Sequence, residues 1–173
     1  MNEPYDPDAH KWLRRKTLTA ENPASMRTVV DYSEYGVSVL DEPVNAGGSG
    51  EGPSPLQSVL GALCGCESVT FRRTATDMDL DYESIRFDAA FTIDIRGRLG
   101  NRTVRPHFQT VRVRAIVATD SSLEALAAVI AETEARCPVM NLLLDAKVDL
   151  EISWVRESTG GLMSVPREVA TGQ

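Results

Sequence analysis

The residues best suited to covalent chemistry in this chain are its three cysteines, Cys64, Cys66 and Cys137. A thiolate is both a nucleophile and a two-electron reductant, and it can pass through sulfenic acid to a disulfide with a second thiol. Cys64 and Cys66 lie in a segment that reads as helix, where they point roughly 200° apart and cannot chelate together. His10 and His107 are far apart and have no ligand-like neighbours, so no metal is expected. A Gly-x-Ser-x-Gly hydrolase motif is absent. Cys66 follows Gly65, which admits a close approach. Cys137 precedes Pro138 at a helix start, where free backbone N–H groups and the positive dipole end favour thiolate. Buried cysteines also serve as small hydrophobes, so packing and redox chemistry both stay open on this pattern.

The elements that must position these thiols follow from periodicity. Met26 to Tyr32 and Tyr35 to Leu40 read as two short strands with a turn between them. Asp41 to Pro53 is loop, dense in Gly and Pro, and is either a flexible connector or a segment passing close to a buried site. It has no Lys or Arg and lacks the ending of a phosphate-binding loop. Ser54-Pro55-Leu56-Gln57 is a capping box with Pro at the first helical position, and predicts a helix to about Thr76. Its stretch from Leu56 to Cys66 is apolar or small almost all round, which predicts a central, buried helix. Ile85 to Arg96 alternates cleanly, and Gln109 to Ala118 is the returning strand, with Val111, Val113, Ala115 and Val117 inward. Ser121 to Glu124 is a second capping box, opening a helix to about Arg136. Pro138 breaks it and starts another through Asp145. Val148 to Trp154 is a final alternating strand. The fold class is α+β with antiparallel sheet, divided as an arm over 1–25, a domain over 26–156 and a tail over 157–173.

Composition narrows the partners. The 173 residues carry a formal charge of -7, which argues against nucleic acid and anionic membranes as partners. No apolar run approaches the 18 or so residues of a membrane span, and the acidic, proline-bearing start does not read as a secretory signal. The expected location is cytoplasmic, where a disulfide-forming pair is catalytic more often than structural.

Several motifs combine into a resemblance. Asp41-Glu42-Pro43, Gly47-Gly48 and the run from Gly52-Pro53-Ser54-Pro55-Leu56-Gln57 to Leu60-Gly61-Ala62-Leu63-Cys64-Gly65-Cys66 are similar to the first motif of the OsmC/Ohr superfamily (osmotically inducible protein C and organic hydroperoxide resistance protein). Arg136-Cys137-Pro138-Val139 resembles its second motif, and the element order agrees over roughly residues 26 to 156. The resemblance implies an intertwined homodimer with antiparallel sheets around two central helices. It also implies a two-cysteine thiol peroxidase without cofactor, reducing organic hydroperoxides at the expense of an external dithiol. Cys66 matches the peroxidatic cysteine and Cys137 the resolving one, while Cys64 has no counterpart role. Leu56, Gln57 and Leu63 would line the substrate site, with Phe71 adding to its apolar character. The family's Glu ten residues before the reactive cysteine is Leu56 here, and no arginine aligns with its partner Arg. That departure supports an alternative, a redox-sensing or ligand-binding dimer with little peroxidase activity.

Overall fold

The computed structural model describes residues 9–166; the first eight residues of the predicted arm and the last seven of the predicted tail lie outside the described residues. The chain groups into two compact units that divide after Ser58, inside the first long helix.

The first unit holds a single helical turn, α1 (Ala9–Trp12), and a three-stranded antiparallel sheet. Its strands are β1 (Thr19–Glu21), β2 (Thr28–Asp31) and β3 (Val37–Leu40), in that order. The two predicted strands are present but shorter, since Ser33–Tyr35 forms a turn of 3-10 helix between them. Arg27 falls just before β2 and pairs with Glu51 at 2.7 Å. Part of the segment expected to be an arm is therefore strand. All three β1 residues are exposed, so the alternation that would reveal a strand is missing, and backbone pairing with β2 alone defines it.

The glycine loop after β3 is built around one carboxylate. Asp41 is solvent-inaccessible, and its oxygens accept from the backbone N–H of Glu42 (2.8 Å), Ser49 (3.0 Å) and Glu51 (3.2 Å) and from Ser49 Oγ (2.6 Å). The Ser49 hydroxyl, with help from those amides and against burial, holds the Asp41 carboxyl down at about 2. Gly48 permits this winding, because a Cβ there would sit 1.8 Å from the carbonyl oxygen of Glu42. The loop is a specific structure rather than a flexible connector.

Helix α2 (Pro55–Asp77) starts with the predicted reciprocal cap: Ser54 N–H donates to Gln57 Oε1 (2.9 Å) and Gln57 N–H to Ser54 Oγ (3.3 Å). The second unit continues from it through β4 (Ser84–Ile93), a short helical turn α3 (Ile95–Arg98), β5 (Phe108–Ala118), α4 (Leu123–Arg136), α5 (Pro138–Asp145), β6 (Asp149–Ser158) and β7 (Gly161–Ser164). The sheet order is β4-β5-β6-β7. It is antiparallel at β4·β5 and β6·β7, but β5 and β6 run parallel, which corrects the purely antiparallel expectation. The reason is the connection: α4 and α5 form a crossover long enough to return the chain in the same direction. The predicted tail begins inside β6 and contains β7, paired with β6 across a tight turn at Thr159 and Gly160. Every β7 residue is exposed, so again no burial pattern announced it.

The core of this unit is formed by Val111, Val113, Ala115 and Val117 of β5, Ile152 and Trp154 of β6, Leu126, Val129 and Ile130 of α4, and one stripe of α2. That stripe is Leu60, Leu63, Glu67, Phe71 and Thr74, at the helical repeat. The expectation that α2 is buried all round does not hold in the single chain. Val59 and Val69 are 40% and 55% exposed, and Gly61, Ala62 and Gly65 are also exposed.

Candidate thiol site

Two elements bring two thiols together. Cys66 lies in the middle of α2, half-buried. Cys137 lies at the junction of α4 and α5 and has no solvent exposure. Pro138 forces that junction, since it lacks the N–H to continue α4 and is well placed at the first position of α5. The Cys137 backbone is pinned from both sides. Its N–H donates to Thr133 O at 3.0 Å, closing α4, and its carbonyl accepts from Asn141 N (3.1 Å) and Asn141 Nδ2 (2.9 Å). The same Asn141 amide donates to Glu134 O (3.1 Å), so one side chain ties the last turn of α4 to the first of α5.

The third member is Glu67, next to Cys66 in the chain and on the buried stripe of α2. Neither of its carboxylate oxygens reaches solvent. The Glu67 carboxyl and the Cys66 side chain both act on the Cys137 thiol. Cys66 and Glu67 of α2 and Cys137 of the α4–α5 junction are thus linked electrostatically.

The electrostatics differ from the expectation for a helix start. Burial pushes the Cys137 thiol well above its ordinary range; the hydrogen bond to Glu67, the Glu67 charge and the contact with Cys66 push the same way. Only the Met140 N–H opposes them. The α5 dipole was expected to favour thiolate at Cys137. A dry site facing a carboxylate outweighs it, so the resting group is a protonated thiol. Cys64 is half-buried on another side of α2, and its thiol is also raised, chiefly by burial, with Glu67 adding to the effect.

The other predicted site residues fall in different places. Leu63 is fully buried, one turn before Glu67 on the same stripe. Phe71, one turn beyond, is enclosed too; its ring stands edge-on to Tyr82 (5.0 Å between centroids) and stacks on Trp154 (5.7 Å). Trp154 Nε1 in turn donates to Glu134 (2.9 Å). Leu56 and Gln57 belong to the first compact unit; Leu56 is half-buried, and the Gln57 side chain is engaged in capping α2. Arg136, beside Cys137 in sequence, is committed to Asp77 (2.8 Å) and Glu132.

Sequence reasoning placed both cysteines but gave Glu67 no role. The signal was present: Glu67 is a charged residue at the repeat of an apolar stripe, between Leu63 and Phe71, where a carboxylate needs a reason to be. Asn141 offered no comparable signal.

The fold and thiol pair define an α+β protein with one cysteine on a long helix and a second at a Cys-Pro helix junction. A family model described as OsmC-like protein matches residues 48–153, and the chain belongs to that family. Solved structures agree in fold. The chain superimposes on the OsmC-like protein of Mycoplasma pneumoniae with a TM-score of 0.69 at 16% identity, covering 84% of this chain and 97% of that one. The organic hydroperoxide resistance protein OsmC of Legionella pneumophila gives 0.59 at 16% identity, over 82% and 97% of the two chains. The organic hydroperoxide resistance protein OhrB of Bacillus subtilis gives 0.57 at 15%, over 82% and 98%. No curated protein matches the sequence. Among the described residues, no helix is long and apolar enough to cross a membrane.

Proposed function

We propose that the protein is a two-cysteine thiol peroxidase that reduces organic hydroperoxides. Cys66 as thiolate attacks the distal peroxide oxygen, the O–O bond breaks, and the alcohol leaves with a proton. Cys66 is then a sulfenic acid, and Cys137 condenses with it to a disulfide and water. An external dithiol reduces the disulfide and returns both thiols. The observation that carries this reading is the pair of free thiols themselves, Cys66 on the long helix α2 and Cys137 buried at the Cys-Pro junction of α4 and α5, where the Cys66 side chain acts on the Cys137 thiol. The names of the Legionella and Bacillus relatives point to the same substrate class.

The working form on this reading is a homodimer in the cytoplasm. The apolar side of α2 left open by the single chain, with Val59, Ala62 and Val69, supports a second copy as its cover. Leu142 on α5, 67% exposed, adds to the apolar surface available.

A second reading has its own support: burial, with the Glu67 charge adding, disfavours thiolate at Cys137 and Cys64, and Leu56 stands where the family carries its Glu. That environment suits a slow redox sensor or ligand-binding dimer better than an efficient peroxidase. Consumption of cumene hydroperoxide with dihydrolipoamide as reductant separates the two. Turnover by the wild type that is lost in Cys66→Ser supports the peroxidase. Stoichiometric oxidation without turnover supports the sensor.

A further inference from the structure

A methionine sulfur is a weak hydrogen-bond acceptor and, where it reaches solvent, a two-electron reductant. Met26 (53%), Met78 (42%) and Met163 (44%) are comparably exposed, while Met140 is buried. Met163 differs from the other two in what faces its sulfur. It stands on β7 directly across from Arg156 of β6, and Arg156 Nη2 donates to its Sδ at 3.4 Å. Arg156 Nη1 donates to Ser121 O (2.9 Å), just before the Ser122 cap of α4. The remaining donor, Nε, is buried and has no partner among the described residues. Nε and Nη2 share one edge of the planar guanidinium, an edge shaped to grip oxygen through two N–H groups at once. Here the edge meets a single sulfur, which engages Nη2 and leaves Nε unserved. A buried donor without an acceptor destabilises the fold, and an oxygen carried on that sulfur would supply the acceptor.

We propose that Met163 is a site of oxidation by hydroperoxides, with Arg156 as the receptor for its sulfoxide. Met163 Sδ attacks the terminal oxygen of the hydroperoxide. The S–O bond forms as the O–O bond breaks, and the departing alkoxide takes the hydroxyl proton and leaves as alcohol. The sulfur is oxidised by two electrons and the peroxide is reduced by two. The soft torsions of Met turn the new oxygen onto the Arg156 edge, where it accepts from Nη2 and Nε together. The same N–H groups face the oxygen as negative charge develops on it, which favours Met163 over thioethers that meet water alone. Oxidation therefore tightens the β6–β7 hairpin instead of loosening it, and Nη1 ties that change to the start of α4. The step uses neither thiol, and methionine sulfoxide reductases reverse it.

The test follows each methionine by itself. Full-length protein, wild type and Cys66→Ser, is treated with excess cumene hydroperoxide, and sulfoxide at Met26, Met78 and Met163 is followed by mass spectrometry. Met163 should convert about tenfold faster than the other two in both proteins, the effect of one hydrogen bond to a charged group. Amide exchange over residues 161–164, measured before and after, should slow about tenfold once Met163 is oxidised. In Arg156→Lys, which keeps the charge and loses the two-pronged edge, Met163 should oxidise at the rate of Met78 and the slowing should vanish. Met163 oxidised no faster than Met26 and Met78 overturns the proposal, as does β7 exchange that is unchanged or faster after oxidation. An Arg156→Lys chain that matches wild type in both readouts overturns it too. Where Arg156→Lys fails to fold, the rates of the three methionines and the exchange before and after oxidation in the wild type decide alone. Cys66→Ser keeps the peroxidase question apart, since Met163 should oxidise there whether or not Cys66 turns over peroxide.

Discussion

The resting state of Cys137 gives a direct check on the electrostatics of the site. At pH 7 an ordinary thiol of pKa 9.0 is about one per cent thiolate, and each tenfold loss of thiolate slows alkylation about tenfold. Burial, Glu67 and Cys66 all act on Cys137 in that direction, and only the Met140 N–H acts against them. The side chain is also fully enclosed, so a reagent needs a local opening of the α4–α5 junction to reach it. Together these lead us to expect labelling of Cys137 at least about 100-fold slower in the folded chain than in the same chain unfolded in guanidinium. Half-buried Cys66 should be labelled before it. The pH dependence follows from the sign of the displacement. The Cys137 rate should keep climbing about tenfold per pH unit beyond pH 9.0, where an unperturbed thiol levels off. The assay is a time course with iodoacetamide, read residue by residue by mass spectrometry. Labelling of folded Cys137 at the unfolded rate, or a plateau below pH 9, would refute the picture of a dry thiol held beside a carboxylate.

Further outcomes are expected elsewhere. Phe71→Ala removes a fully buried ring held between Tyr82 and Trp154, and should cost about 3–5 kcal/mol in urea unfolding; a loss under about 1 kcal/mol would show that the stack is not part of the core. The Asp41 carboxyl is displaced downward to about 2, so its contribution is present above the ordinary 3.8 and is lost as pH falls through about 2. Amide exchange at Ser49 and Glu51 should therefore rise over that window and be raised already at pH 7 in Asp41→Ala; unchanged exchange in the variant would contradict the role given to Asp41. Light scattering should give about 38 kDa, twice the 18.9 kDa of the chain, and a monomer at micromolar concentration would remove the cover proposed for α2.

What the sequence conveyed depended on whether a residue's burial leaves a pattern. The ends of α2, α4 and α5 were legible because Ser54 with Gln57, Ser122 and Pro138 act through local hydrogen bonds and fixed dihedrals that need no tertiary information. β5 was legible because Val111, Val113, Ala115 and Val117 alternate onto one buried face. β1 and β7 were not, since exposed edge strands are defined by backbone pairing that side chains do not report. The parallel β5·β6 pair was hidden for a related reason: alternation tells which face is inward, not which way a neighbouring strand runs. At the site, spacing and motif reached both cysteines, but the state of Cys137 required knowing what faces it. A helix start alone favours thiolate; burial, with the Glu67 carboxyl of α2 adding from 70 positions away in the chain, reverses that.

The central claim is that Cys66 and Cys137 act as one redox pair. Its most direct measurement is peptide mapping of the reduced wild-type chain after one equivalent of cumene hydroperoxide, without added reductant. We expect a single intramolecular disulfide joining the peptides that carry Cys66 and Cys137, with Cys64 still free and the bond reversed by dihydrolipoamide. Both thiols recovered unmodified, or a disulfide that joins Cys64 instead, would contradict the account.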